Sequence, residues 1–367
     1  MALSRIDTTN MIEDVPQSKL DNNINFRNII INGSMDLAQR GTSTASVSSG
    51  ATFPALDRFK FYVSSGGTWT VSQDTDVPSG QGFAKSLKMD NTTANGSLSS
   101  GSLAQIQQGI EGQNLQYLKK GTSNAESVTL SFWVKSNKTG TYICEIRDTD
   151  NSRSISKSYT VSSASTWEKK TITFDGDTTG TLNNDNDKSL ELVWWLLAGT
   201  DFTSGTLQTS WGSQTNANRA VGQVNLADST SNEWYITGVQ LEAGDTASDF
   251  EFVPVDVNLR RCQRYYQQHG NESYAGITTS YQLSSTASAG GFIYPVTMRA
   301  TPSVGSSNLI VTNRVSYDVD CSPSGPVASP SSIYLRVSHS SAGASDRGNL
   351  IAVKHLTTGF LKLTSEL

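Results

Sequence analysis

The chain has 367 residues, 36% hydrophobic and 17% charged, with 28 Lys and Arg against 33 Asp and Glu. That length allows more than one domain, and the net charge of −5 excludes a whole-molecule electrostatic trap for nucleic acid or anionic membrane. With 7 Trp, 12 Tyr and 12 Phe, the composition is not that of a disordered chain.

Ser, Thr, Gly and Asn fill the deficit in charge and apolar residues, a profile that suits an all-β protein with many turns. No apolar run approaches the ~18 residues of a membrane-spanning helix. The first residues, MALSRIDTTNMIEDVPQSKLDNN, lack the charged and apolar regions of a secretory signal. Cys144, Cys262 and Cys321 are odd in number, far apart and without CxxC spacing, so they read as reduced thiols made in a cytoplasm. His269, His339 and His355 cluster with nothing in sequence, and neither a metal site nor a cofactor is expected.

Residues 1–25 are polar, with Ile6, Met11, Ile12, Val15 and Leu20 scattered through them. They read either as a floppy terminus or as an arm that orders by docking on a partner. From Phe26 the texture changes: Asn28-Ile29-Ile30-Ile31 predicts a short buried strand meeting an Asn32-Gly33 turn. DRFKFYV and GTWTVSQ are strand-like, and SLAQIQQGIEG reads as a strand running into a loop. In SVTLSFWVKS, Val128, Leu130, Phe132 and Val134 alternate with Thr129, Ser131, Trp133 and Lys135, so one face of that strand is apolar.

GTYICEIRD follows across NKTG as a hairpin, and then SKSYTVS, WEKKTITFDGD, SLELVWWLLAG and NEWYITGVQLEAG. Turn clusters recur at intervals of about a dozen residues, the rhythm of an antiparallel β-sandwich or jelly roll. This first β domain spans 26–254. LRRCQRYYQQ then forms the best helix candidate, within a linking segment 255–269, with Asp256 or Asn258 as cap. Leu259, Cys262 and Tyr266 fall on one face at i, i+3 and i+7, with Arg260, Arg261 and Arg264 around the other side. Residues 270–367 return to strands and form a second, smaller β domain.

Several constellations invite chemistry. Cys262 beside three arginines has the field a thiolate nucleophile needs, but no base or oxyanion loop accompanies it, and the simpler reading is a small residue packed on the helix. The arginines and tyrosines have the ingredients of a nucleic-acid patch, yet span under two helical turns of an acidic protein. Ion pairs with Asp256, Glu242, Glu251 or Glu272 are the alternative. Asp175 with Asp177 and Asp185 with Asp187 sit in turn-like loops, where a calcium ion is conceivable and a glycosidase acid pair is less so. Of the seven tryptophans, Trp133 lies out of phase with the apolar face of its strand and is the one expected to meet a glycan or a neighbouring subunit. Trp194 and Trp195 must point to opposite faces, which places at least one in a core.

The ordered series NIIINGSMDLAQRGTS, LDRFKF, IQQGIEGQNL, TLSFWVKSNKTGTY, WEKKTITFDGDTTG, YITGVQLEAG with FEF, RRCQRYY and YPVTMRATPSV resembles the virion appendage proteins of tailed bacteriophages, among them tail fibres, receptor-binding proteins and decoration proteins. The likeness covers roughly residues 26–304, and no single motif in it is decisive. It implies a carbohydrate-binding-module-like jelly roll, a short helix, a distal β domain and assembly as a homotrimer on the virion. It carries no catalytic residues, so a non-enzymatic protein is expected, engaged with other virion proteins of the tail, neck or capsid and with a host-surface glycan. In such a trimer Leu259, Cys262 and Tyr266 would meet around the axis, Arg260, Arg261 and Arg264 would bridge to neighbours, and Ile6, Met11, Ile12, Val15 and Leu20 would anchor the arm. The rival expectations are a head or neck decoration protein that binds no host and, in a different class, a polysaccharide depolymerase.

Overall fold

The computed structural model describes residues 26–270, 275–312, 318–340, 349–353 and 359–367. Ile6, Met11, Ile12, Val15 and Leu20, expected to anchor the chain, lie outside the described residues. The fold is all-β and antiparallel throughout, with short helical turns between strands. It divides into two compact units. The first takes the chain to Asp36, then Ser43–Pro54 and Phe59–Val253; the second takes Leu37–Thr42, Ala55–Arg58 and Pro254–Leu367.

The strands of the first unit are β1 (Ser43–Val47), β2 (Gly50–Thr52), β3 (Lys60–Ser64), β4 (Thr68–Asp74), β5 (Ser86–Thr93), β6 (Leu103–Glu111) and β7 (Val128–Ser136). They continue as β8 (Gly140–Asp148), β9 (Arg153–Val161), β10 (Glu168–Phe174), β11 (Lys188–Ala198), β12 (Gly212–Ser213) and β13 (Glu233–Ala243). One sheet runs β1-β4-β5-β13-β7-β10 and the other β12-β9-β8-β11-β6-β3-β2. The chain crosses repeatedly between them, which makes the sandwich a jelly roll. Its core lies between the sheets. Phe132 packs edge-on to Trp194 at 6.0 Å and to Tyr159 at 5.1 Å, and Phe61 meets Trp69 at 5.9 Å. Each of these rings buries on the order of 150–250 Å², so the aromatic layer carries much of the hydrophobic stabilisation.

Both Trp194 and Trp195 are fully buried, although they point to opposite faces of β11. Trp194 belongs to the sandwich core, whereas Trp195 is covered from outside by the excursion between β11 and β13. That excursion begins with a one-turn helix α1 (Thr200–Thr203) and lays Phe202 and Ala220 against Trp195, Ile143 and Val193.

The segment Asn28–Ile31 is not a strand of either sheet. One backbone bond ties it to β13, from the Ile29 N–H to the Leu241 carbonyl at 2.8 Å, and side chains do the rest of a neighbouring strand's work. Gln108 accepts from the Ile31 N–H at 2.8 Å and donates to the Ile31 carbonyl at 3.0 Å. Asn28 Oδ1 accepts from the N–H groups of Ile30 and Leu241. Asn32 turns at φ 62°, and Gly33 follows so closely against the carbonyl of Val239 that a Cβ would lie 2.0 Å from its oxygen.

The second unit opens with helix α2 (Val255–Gln263) and contains β14 (Tyr266–Gly270), β15 (Gly276–Ser284), β16 (Ala287–Ile293), β17 (Ser303–Ser307) and β18 (Leu309–Thr312). Then come β19 (Asp318–Pro323), β20 (Val327–Ala328), β21 (Ser332–His339), β22 (Asn349–Val353) and β23 (Phe360–Thr364). β16 pairs with both β15 and β21, so the larger sheet closes on itself as a small barrel around Leu309, Val311, Leu335, Val337 and Ile351. The helix is capped by Pro254, not by Asp256 or Asn258. Asp256 lies in the first turn, where its charge suits the helix dipole, and Asn258 is buried inside the helix. The helix also stops earlier than the i, i+3, i+7 spacing requires: Tyr266 belongs to β14.

Candidate functional site

On the outer face of the first sheet, Trp133 of β7 stands between Lys169 of β10 and Thr237 of β13 in direct register. It is half-buried, unlike the apolar residues that flank it in sequence, because its face of the strand looks away from the core. A cleft of about 220 Å³ opens beside it, walled by Phe83, Phe250 and Phe252 and edged by Gln81, Ser131, Lys169 and Asp249. The three phenylalanines form a mutual cluster with centroids 4.9 to 5.2 Å apart, and Phe252 is 55% exposed. β13 bulges between Thr237 and Gln240, and Gly238 sits there at φ 62°. A Cβ on Gly238 would fall 2.5 Å from the Phe83 ring, so glycine is what lets that wall close up.

Two residues further along β7 on the same face, Lys135 sits over the Tyr235 ring at 4.2 Å and the Trp167 ring at 5.6 Å. Lys135 pairs with Asp76, and Trp167 Nε1 donates to the same carboxylate at 2.9 Å. Lys88 pairs with Glu233 at 2.9 Å, and the Tyr235 hydroxyl donates to Glu233. Burial works to raise Asp76, but the hydrogen bonds of Lys135 and Trp167 outweigh it and hold the carboxyl below its ordinary range. Burial pushes the Tyr235 hydroxyl up to about 12. Around neutral pH Asp76 is therefore held charged and Tyr235 neutral. Sugar rings have an apolar face and a rim of hydroxyls, and this surface offers matching parts: aromatic planes with donors and acceptors at their edges.

The loop acids have other occupations. Asp177 is almost fully buried, with Arg153 forked on it at 2.7 and 2.9 Å and Lys120 Nζ at 2.9 Å. Lys120 also reaches Asp148 at 2.5 Å and the Gly180 carbonyl at 2.9 Å, so an ammonium lies at the centre of these oxygens. Burial raises Asp177, but Arg153 and Lys120 more than compensate and bring it to about 2. Asp175 is exposed beside Lys157, and Asp185 accepts the N–H of Asp187 to close a turn. Among the described residues there is no group of three or more His, Cys, Asp or Glu placed to hold a metal ion.

The LRRCQRYYQQ stretch resolves differently from its periodicity. Cys262 is fully buried, and burial raises its thiol well above the ordinary value, the opposite of what a nucleophile needs. Tyr266 is also buried within its own chain, Leu259, Arg261 and Arg264 are half-buried, and Arg260 is exposed. The tyrosines receive arginines from far upstream. Arg58 lies over the Tyr265 ring at 3.4 Å and Arg40 over the Tyr266 ring at 3.6 Å, and both pair with Glu366. Glu242 and Glu251, expected as partners for the helix arginines, serve residues 26–28: Glu242 pairs with Arg27, and Glu251 accepts the N–H groups of Phe26 and Asn28. Glu272 lies outside the described residues.

No family model matches the chain, and no curated protein is similar to it in sequence. Solved structures do match. The enzymatically active domain of tailspike protein 4 of bacteriophage CBA120 is 16% identical over 59% of this chain, with a TM-score of 0.30, and the match spans 21% of the tailspike chain. A putative sugar-binding protein from Bacteroides thetaiotaomicron is 13% identical, with 59% of this chain and 99% of that one covered and a TM-score of 0.30. A family 11 carbohydrate-binding module from Clostridium thermocellum, in complex with a β-1,3-1,4-mixed-linked tetrasaccharide, is 11% identical, with 56% and 99% covered and a TM-score of 0.27.

Proposed function

We propose that the chain is a non-catalytic adhesion subunit of a tailed-bacteriophage particle that holds a host-surface glycan in the Trp133 cleft. The observation that carries the glycan reading is the cleft itself, a half-buried indole beside a phenylalanine wall of which Phe252 is exposed, with Gln81, Ser131, Lys169 and Asp249 at its rim. The particle reading rests on the ordered motif series from NIIINGSMDLAQRGTS to YPVTMRATPSV. Within it, the chain acts as a homotrimeric fibre or short appendage tied to the virion by residues 1–25. The non-catalytic reading rests on the same likeness, which carries no catalytic residues; the buried acids Asp148 and Asp177 are ion-paired with Lys120, and Glu145 with Arg219.

Binding of purified chain to immobilised host-envelope glycans, with and without W133A, tests the cleft. Loss of one aromatic contact should weaken binding by about tenfold. Unchanged binding by W133A would overturn the assignment. Sedimentation of the chain with and without residues 1–25, and with particles lacking it, tests the rest. A trimer that survives truncation but no longer joins particles is expected. A monomer that joins particles and binds no glycan would mark a decoration protein instead.

A further inference from the structure

The second sheet of the first unit carries an unrelated polar constellation on its outer face. Glu191 of β11 is fully buried, yet three cations converge on it. Lys60 lies 3.1 Å and Lys188 2.8 Å from Oε1, and the Arg147 guanidinium takes Oε2. Their side chains remain 15%, 26% and 18% exposed, so the cations form the wet surface over a dry carboxylate. Further along the same face, Arg219 and Glu145 neutralise each other through bonds of 2.8 and 3.0 Å, sealed beneath the excursion that covers Trp195. Glu111, the remaining acid of this face, takes the Gln113 amide at 2.6 Å. Counting it, Lys60, Arg147 and Lys188 still outnumber Glu111 and Glu191.

Hydrogen-bonding groups are left over in the same place. Arg147 Nε and Ser154 Oγ are buried without a hydrogen-bond partner in the protein, as is Gln105 Nε2 towards the covered end of the face, and one acceptor, Glu191 Oε2, is in the same state. Ser154 pairs in register with Arg147, and Arg147 with Glu191, while Gln105 stands opposite Tyr62 and Trp195. Gln105 is 1% exposed, and its oxygen is already taken by Gln107 at 2.5 Å, so what it offers is a donor. Buried polar groups are ordinarily satisfied; here two N–H donors and a hydroxyl stand against the single orphan acceptor Glu191 Oε2, and a donor excess under a layer of cations suits a ligand that brings acceptors.

We propose that this face, around Lys60, Arg147 and Lys188, binds an anionic oxygen group, supplied by the carboxylate of an acidic sugar or by a phosphate. Burial first, and the neighbouring Lys60 and Arg147 after it, bring Lys188 down to about 7, so beside Glu191 it is only partly charged at neutral pH and a bound anion would draw its proton on. The site is independent of the Trp133 cleft, which lies on the other sheet.

Titration calorimetry on the whole chain tests it, with an oligogalacturonate, a neutral oligogalactoside of equal length and inorganic phosphate as probes at low and high salt. An anionic probe should bind, weaken as salt rises, and lose about tenfold or more in both K60Q and K188Q while W133A binds it as the wild type does. Equal binding of phosphate assigns the site to phosphate groups; binding of the oligogalacturonate alone assigns it to acidic sugars. K60Q and K188Q each leave Glu191 two cationic partners, and thermal melting verifies that they fold. No anion binding, binding unchanged in both variants, or binding lost only in W133A overturns the proposal.

Discussion

The guanidinium of Arg58 lies over the ring of Tyr265, 3.4 Å from its centroid, and pairs with the carboxylate of Glu366. Arg40 repeats the arrangement over Tyr266 and reaches the same carboxylate at 2.8 Å. Stacking and ion pairing thus act on one charge from both sides, in a site where Arg58 is 1% exposed. R58A should destabilise the second unit by about 3–5 kcal/mol, because Glu366 stays buried with part of its partnership gone. R58K should recover only a fraction, since an ammonium cannot both stack and fork. Denaturant unfolding followed by fluorescence reads both variants, and a loss below 1 kcal/mol in R58A would show the cluster to be dispensable.

Asp57 belongs to the same cluster, facing Arg40 and Gln39. Burial pushes its carboxyl from 3.8 up to about 6, against the hydrogen bonds from Gln39 and the charge of Arg40. The folded state therefore binds this proton more tightly than the unfolded chain does. The stability it contributes is full below pH 3.8 and lost as pH rises through 6. The change amounts to about 3 kcal/mol. The stability difference between wild type and D57N, measured from pH 4 to 7, should shift by that amount in favour of D57N; a constant difference would refute the assignment.

Lys120 holds two buried aspartates and a carbonyl together. K120M should cost about 3–5 kcal/mol, since Asp148 and Asp177 would face each other with less compensation. Chelator or added calcium should leave the melting temperature of the wild type unchanged, because an ammonium already sits among these oxygens. A rise with calcium would mean that a divalent ion competes for the position.

All three thiols are raised by burial, Cys321 to about 12. A disulfide reagent should modify the native chain slowly at neutral pH and all 3 cysteines rapidly once guanidinium unfolds it. Fast labelling of native Cys262 would restore the nucleophile reading.

Strands were the legible part of this sequence because their signal is local. Val128, Leu130, Phe132 and Val134 announce an apolar face within nine residues, and all four are buried in β7. The helix was legible in existence but not in extent: a spacing that placed Tyr266 beside Cys262 says nothing of the turn at Arg264 that ends the helical register. Asn28–Ile31 looked like a strand because it is apolar, but only Ile29 bonds to a strand backbone, at Leu241, while the N–H groups of Asn28, Ile30 and Ile31 go to side chains of Glu251, Asn28 and Gln108, which no periodicity encodes. The cleft was visible only through Trp133. Phe83 and Phe250 enter from loops, and their meeting depends on a bulge at Gly238 that carries no signature in its own window. The partners of Tyr265 and Tyr266 were beyond reach because Arg40 and Arg58 lie more than two hundred positions upstream, and Glu366 about a hundred downstream.

The second unit borrows Leu37–Thr42 and Ala55–Arg58 from the early part of the chain. On a ribosome those residues emerge before the rest of their unit, and the glutamate that Arg58 must meet is translated 308 positions later. Arg40, Asp57 and Arg58 therefore spend most of synthesis without their destination, while the sandwich that brackets them in sequence can already close. A gene fragment starting at Pro254 would encode the barrel strands yet omit the charges that seat Tyr265 and Tyr266. The two units are interleaved along the message, and neither can be shuffled out by a single cut.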